Sequence, residues 1–544
     1  MSNECRIGLV MAGAVSAGAY TAGVIDFLVQ ALDEWERARS TDAAGTPAHR
    51  VTISVLSGAS AGGMTAAMLA GILAGRRHVP VTGADPGLTV NDNVLFQSWV
   101  NDIDIVALLG TADLADEAPL RSLLDSSPLD RIAQGALPLN VAGQRQAYAD
   151  EYLELLLTLS NLRGVPYNLP FANDGAAERP GHGLHQHQDY LHFRFGNQTL
   201  PDLRRPLDWA MQGPEWNVLR QGALATGAFP VGLAARRIEQ PGPIYNARTF
   251  DAPGTGKLIN GQCDCHANKA IPPAWGVGAS APQDYAFVSV DGGVFNNEPF
   301  ELARRALANG GRNERDPVLA DRIMLAIDPF PDVTDFPSET AAYRDPDDLF
   351  AVVKALIGAF VNQSRFKPGE LVLATTAPSA SRRLIAPDRN GAAPDEPQLA
   401  SGPLGGFAGF LDRRLRYHDF MLGRANCQGF LRDHFHLPAQ NAIFAGNGAA
   451  QAAPVGAMLP VIPLLGSANA PIAVPSWPKI PKAELDRIEA LIAKRVAKVL
   501  PHLLATLNVS RLVAFLIHMI KSRGWVKRIR NTIQQQLQLA RLIA

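Results

Sequence analysis

Two short apolar runs near the start of the chain are each followed by a glycine-rich stretch and then by a helical pattern. Residues 6–11 (RIGLVM) read as a buried strand, and the loop Gly13-Ala14-Val15-Ser16-Ala17-Gly18 follows. Beyond it, Leu28, Ala31, Leu32 and Trp35 recur at helical spacing, with Asp33, Glu34 and Glu36 on the other face. A polar connection over 39–50 leads to the β-branched run Val51, Ile53 and Val55. That run enters Gly58-Ala59-Ser60-Ala61-Gly62-Gly63, and Ala- and Met-rich helix-forming sequence comes next. Two strand–loop–helix units in succession imply a parallel sheet flanked by helices, with functional groups collected at the strand C-terminal ends.

The pattern weakens over residues 76–243, where helices are expected at 92–109 and 148–162 and an aromatic strand at 190–195 (YLHFRF). We read this region as a large helical insertion packed beside the sheet. A helix from 216 onward runs into the small-residue segment 225–230 (ATGAFP), and buried strands are expected at 285–290 (YAFVSV) and 322–329 (RIMLAIDP). Helices are expected at 347–362 and 404–435 and over 482–507. The domain organisation that follows is a catalytic unit over 1–330, a helical part packed on it over 331–440, an Ala/Pro/Gly-rich linker over 441–481, and amphipathic basic helices over 482–544.

Composition narrows the class without naming a function. A chain of 544 residues with 47% hydrophobic and 19% charged content is globular, and it is long enough for several domains or one elaborated α/β unit. Lys+Arg 50 against Asp+Glu 51 leaves a net charge of -1, so nothing global points to nucleic acid. Four cysteines, Cys5, Cys263, Cys265 and Cys427, make no disulfide scaffold and fit a reducing compartment. The N-terminus lacks the pattern of a secretory signal, and no run of about 18 uncharged apolar residues is present. A cytoplasmic protein is expected, with export routes that read a folded or C-terminal signal left open. Residues 509–544 carry Arg511, Lys521, Arg523, Lys527, Arg528, Arg530 and Arg541 and no acidic residue. Two readings of this tail stay open: peripheral docking on an anionic membrane, or a terminal helical hairpin packed on the domain.

Candidate chemistry centres on Ser60. A serine on a sharp strand-to-helix turn needs small neighbours, and Gly58, Ala59, Ala61 and Gly62 supply them. The helix that follows would aim its N-terminal amides at an oxyanion. Asp291, at the end of a buried strand and followed by Gly292 and Gly293, is a second candidate, although Asp-Gly-Gly is also ordinary turn sequence. His418-Asp419 could pass for a catalytic pair, but a cap or ion pair beside the core fits better. The histidines 182, 185, 187 and 192 and the CDCH stretch at 263–266 lack ligand partners at a familiar spacing, so no metal and no cofactor is expected. A dinucleotide fingerprint does not fit the first loop, whose spacing is not GxGxxG.

The glycine loop, Gly58-Ala59-Ser60-Ala61-Gly62 and Asp291-Gly292-Gly293, in this order and at these strand ends, resemble the patatin-like phospholipases. Ala225 to Pro230, Asn297 and Pro299 fit the same pattern, and the match covers about residues 5–330. The resemblance implies a three-layer α/β core and a Ser60–Asp291 dyad without histidine. It implies an oxyanion hole of backbone N–H groups at Gly13, Ala14, Val15 and Ala61, with Gly18 closing the loop motif. The implied activity is a lipid acyl hydrolase of phospholipase A or lipid esterase type, with a lipid ester as substrate. Alternatives are a catalytically weak lipid- or membrane-binding protein on the same scaffold and a lipid acyltransferase. The loop departs from the family pattern by lacking its basic residue, Ala17 standing there, and by Ala14 and Val15 replacing glycines. Because the donors are backbone N–H groups, Ala14 and Val15 leave the hole intact if φ stays negative there.

Overall fold

A computed structural model describes residues 3–42, 45–90, 92–114, 119–139, 143–169, 182–196, 204–252, 258–259, 262–263, 269–276, 280–311, 313–331, 382–392, 396–445, 453–454, 456–506 and 511–543. In chain order the main elements are β1 (Glu4–Met11), α1 (Gly18–Thr41), β2 (Arg50–Gly58), α2 (Ser60–Leu73), β3 (Ala149–Leu169), β4 (His182–Phe195), β5 (Arg205–Leu207), α3 (Glu215–Thr226), β6 (Arg236–Pro241), β7 (Asp284–Val290), α4 (Phe300–Ala308), β8 (Arg322–Ile327), β9 (Arg382–Ile385), α5 (Arg413–Asp433), α6 (Lys482–Thr506) and α7 (Arg511–Leu539).

The central sheet runs in the order β9-β8-β1-β2-β3-β7-β6, and β4 and β5 extend it from β3. Strands β9, β8, β1, β2 and β3 are mutually parallel, while β7 lies antiparallel to both β3 and β6. The period of two along β1 assigns its faces: Ile7, Leu9 and Met11 join the large core with α1 and α2, and Val10 joins a smaller core with Val55, Leu156, Ala303 and Leu307 under α4. Helices therefore cover the sheet on both sides, the expected α/β architecture with a mostly parallel sheet.

Several boundaries differ from the sequence reading. Residues 148–162, expected as a helix, form the first part of β3, which pairs parallel with β2 and antiparallel with β4. The strand is buried on both faces, so Leu153, Leu155, Leu156, Leu157 and Leu159 form a nearly continuous apolar run whose period of two is hidden. The region 76–243 is thus no helical insertion beside the sheet; it supplies four of the sheet's strands. Residues 92–109 break into Val94–Phe96, a wide π-turn over Gln97–Asp102, and Ile105–Leu108 capped by the Asp104 carboxylate. The unit expected to end at residue 330 continues, because β9 pairs parallel with β8.

The segment over 441–481 is no linker between bodies. Met458–Pro460 pairs with His436–Pro438, and the buried Val461 carbonyl meets His49 Nε2 at 2.9 Å. The expected helix over 347–362 lies outside the described residues. At the C-terminus α6 and α7 pair with each other, Arg530 reaching Asp486 and Glu489 at 3.0 Å each. The chain end returns to the body through Ile480 N–H to the Leu542 carbonyl (2.7 Å) and Trp477 Nε1 to the Ala540 carbonyl (3.0 Å). The hairpin reading of the tail is what its described residues show. The side chains of Arg511, Lys521 and Arg523 lie outside them.

Helix α1 is long and apolar enough to cross a membrane by composition, yet 94% of its apolar window is buried within the structure. Its main partner is α5, and two glycines set their distance. A Cβ on Gly23 would overlap the Phe420 carbonyl oxygen, and one on Gly423 would overlap that of Tyr20. Alongside, the wholly buried Asp26 ion-pairs with Arg424 and accepts from Asn93 Nδ2 (2.5 Å) and Val81 N–H (3.2 Å), tying residues 79–93 to both helices.

Helix propensity alone would make Gly23→Ala stabilising by about 1 kcal/mol. The backbone collision reverses the sign: urea denaturation of Gly23→Ala is expected to show a loss of about 1–3 kcal/mol. A gain would mean that the helices are not in this close contact.

Candidate active site

The turn between β2 and α2 places Ser60 at the first position of the helix with φ of 50°, a left-handed conformation that costs a serine energy. Contacts leave the neighbours no choice of size. A Cβ on Gly58 would stand 2.5–2.6 Å from the Gly62 and Gly63 backbone, and one on Gly62 would overlap the Met11 carbonyl. The strained turn is held by a bond absent from the sequence reading, Ser60 N–H to Thr226 Oγ1 at 2.9 Å, with Thr226 fully buried at the end of α3.

Ser60 Oγ donates to Asp291 Oδ2 at 2.6 Å, although 231 residues separate the two. Asp291 leaves the end of β7 and is fixed on every side. Its N–H donates to the Ala228 carbonyl (2.9 Å), its carbonyl accepts from Ser160 Oγ (2.6 Å), and its Oδ1 accepts from Gly293 N–H (2.8 Å). Gly292 sits where a Cβ would overlap the Thr158 carbonyl, and Gly293 where one would lie 2.5 Å from Asn297 Oδ1. Burial pushes the Asp291 carboxyl up to about 6, against the Ser60 hydroxyl and the Gly293 N–H, which favour the charged form.

The first glycine loop departs from expectation at two residues. Gly13 N–H donates to the Asn297 carbonyl at 3.2 Å, and the Gly13 carbonyl accepts from Asn297 Nδ2 at 3.3 Å. Gly13 is therefore a spacer, its hypothetical Cβ 3.1 Å from that of Ser60, and its N–H is already engaged. Ala14 keeps a negative φ of -149°, but Val15 has φ of 51°, where a negative value was expected. Such a φ for a β-branched residue needs outside restraint. The Ser16 N–H (3.1 Å) and hydroxyl both donate to the Gly406 carbonyl, and Ala17 N–H closes a turn on the Ala14 carbonyl at 2.9 Å. Among the described residues the Ala14 and Val15 N–H groups meet no protein acceptor. Ala61 lies in the first turn of α2, whose N–H groups have no intrahelical acceptor. Gly18 begins α1, with the Trp99 indole filling the space where its side chain would be.

The segment that backs the loop is braced from α5. Wholly buried Arg416 on α5 donates to the Gly409 carbonyl (2.6 Å) and the Val100 carbonyl (3.0 Å), and Gly409 packs against Ser16. Asp419 fixes the same segment from the other end, accepting from Ala400 N–H (2.9 Å), Ser401 N–H (2.8 Å) and the Ser401 hydroxyl. His418 Nδ1 lies 2.9 Å from Asp419, a pair buried beside the core as expected. No signal in the sequence links residues 401–416 to the loop at 13–18, because the acceptor is a backbone carbonyl, Gly406, that any residue would supply.

A cavity of about 100 Å³ opens on the dyad. Ser60 and Asp291 form its polar end, and Val15, Met64, Phe229, Leu404 and Phe407 belong to an otherwise apolar wall. The remaining candidates stand elsewhere: His187 Nδ1 meets the Asn161 carbonyl at 2.7 Å, and His192 Nε2 meets Glu154 at 2.7 Å. Cys265 and His266, and the side chain of Cys263, lie outside the described residues.

Thr226→Val keeps the shape and removes the acceptor for Ser60 N–H, so an unfolding titration should show about 1–3 kcal/mol of lost stability. Thr226→Ser should recover most of it. Equal stability of all three proteins would contradict a restraining role for this bond.

A scan against protein-family models finds no match. The chain is 34% identical to the uncharacterized protein y4iI of Sinorhizobium fredii, across 98% of this chain and 81% of the relative. Among solved structures, VipD from Legionella pneumophila is 12% identical, with 98% of this chain and 91% of that one covered at a TM-score of 0.21, too low to bear on fold or function.

Proposed function

We propose that this chain, which belongs to the same family as protein y4iI of Sinorhizobium fredii, is a serine acyl hydrolase acting on lipid esters through Ser60 and Asp291 in a patatin-like core. The observation that carries this reading is the 2.6 Å bond from Ser60 Oγ to a buried Asp291 carboxylate at the mouth of an apolar cavity. The cavity favours an acyl group over a polar one.

In this mechanism Ser60 Oγ attacks the ester carbonyl carbon while its proton passes to Asp291 Oδ2. The tetrahedral oxyanion is met by the N–H groups of Ala61, Ala14 and Val15, each donor worth about 3 kcal/mol of barrier. Collapse breaks the carbon–oxygen bond to the alcohol, which takes the proton from Asp291 and leaves an acyl-serine. Water then attacks the acyl-serine, Asp291 accepting its proton and returning one to Ser60. A carboxylate is a weak base for a serine. Burial corrects part of the mismatch by raising its proton affinity.

Hydrolysis of p-nitrophenyl esters and of glycerophospholipid vesicles tests the proposal. Ser60→Ala should lose about 10³-fold or more in kcat, and Asp291→Asn about 10²–10⁴-fold. Undiminished turnover in Ser60→Ala would overturn it.

The pH dependence follows from the same carboxylate. Only the ionised form accepts a proton, so kcat/KM should fall tenfold per pH unit below about 6 and level off above. A profile flat from pH 4.5 to 7, read on about the same scale, would contradict a carboxylate base.

A further inference from the structure

Beside the cavity at the dyad lies a second one of about 40 Å³, and the two share Met64, Trp99, Ile103 and Leu129 as wall. These shared side chains are the partition between the two spaces. This second chamber has only Ser98 and the Trp99 indole N–H as polar side-chain groups among the residues around it. So few polar groups cannot hold ordered water, and the occupant they favour is alkyl.

Local structure explains why space remains there. Trp99 sits in the π-turn Gln97–Asp102, where the helix widens by one residue, a distortion that recurs at functional sites. Small side chains, Ala133 and Ala136 on the helix Ser127–Ala136 and Ala223 on α3, stand in the rest of the chamber's wall among Met68, Ile132, Leu137 and Leu224. Met64 stands one turn of α2 beyond Ser60, and its unbranched thioether can change rotamer where a branched side chain could not.

We propose that the acyl chain of the substrate runs from Ser60 through the first cavity and past Met64 and Trp99 into the second chamber, so that these residues and Ala133 determine the acyl-chain length accepted. This rests on the hydrolase reading and extends it to a substrate class, esters of medium-chain fatty acids. The headgroup plays no part in it.

The test compares kcat/KM for p-nitrophenyl butyrate and laurate. Filling the chamber with Ala133→Phe should lower the laurate-to-butyrate ratio by about tenfold, and widening the partition with Met64→Ala should raise it severalfold. Displacement of a fluorescent fatty acid from the Ser60→Ala protein gives a second readout that needs no turnover. There, lauric acid should compete better than butyric acid, and Ala133→Phe should remove most of that advantage. If esters are cleaved but neither the ratio nor the competition responds to the two substitutions, the chamber is not an acyl site. If no ester is cleaved while fatty-acid binding still follows the substitutions, the chamber stands and the hydrolase reading falls. If neither hydrolysis nor chain-length-dependent binding is seen, both fall.

Discussion

The hydrogen bond from Ser60 Oγ to Asp291 Oδ2 is the constraint on which the rest of the structure converges. It joins the end of a parallel strand to the end of a strand that runs antiparallel to its neighbours, across β3. Each partner is over-determined. Ser60 is pinned by Thr226 in a left-handed conformation, and Asp291 is tied to Ala228, Ser160 and Gly293. A strained residue persists only when its surroundings allow no alternative, and here those surroundings come from α3, β3 and β7 together. Leaving a carboxylate in a buried site costs free energy. The same burial raises its proton affinity, which is what a direct base for a serine requires.

A second strained residue, Val15, extends the same logic to the glycine loop after β1. Ser16, bonded to the Gly406 carbonyl, holds the positive φ of Val15 in place. Gly406 belongs to a segment braced by Arg416 and Asp419, more than 380 residues from the loop. The chain after residue 330 is therefore part of the site's support.

Much of this was legible in the sequence. The first two strand–loop–helix units, the strand ending at Asp291 and the small residues around Ser60 carry strong local signals, because each is set by packing within a few residues. The long β3 was not legible, since burial on both faces erases the alternation that distinguishes a strand. The break of the helix at 92–109 and the role of Thr226 were equally hidden, one depending on a π-turn and the other on a tertiary bond. Gly13 looked like a donor by position. Its engagement with Asn297 depends on a residue far along the chain.

The central claim is that Ser60 is made nucleophilic by Asp291 alone. Peptide mapping by mass spectrometry after treatment with a fluorophosphonate tests it most directly. The account predicts a single adduct on the peptide carrying Ser60, formed at a rate that rises through an ionisation near 6 and collapses in Asp291→Asn. An adduct on another residue, or labelling of Ser60 at an unchanged rate in Asp291→Asn, would contradict it.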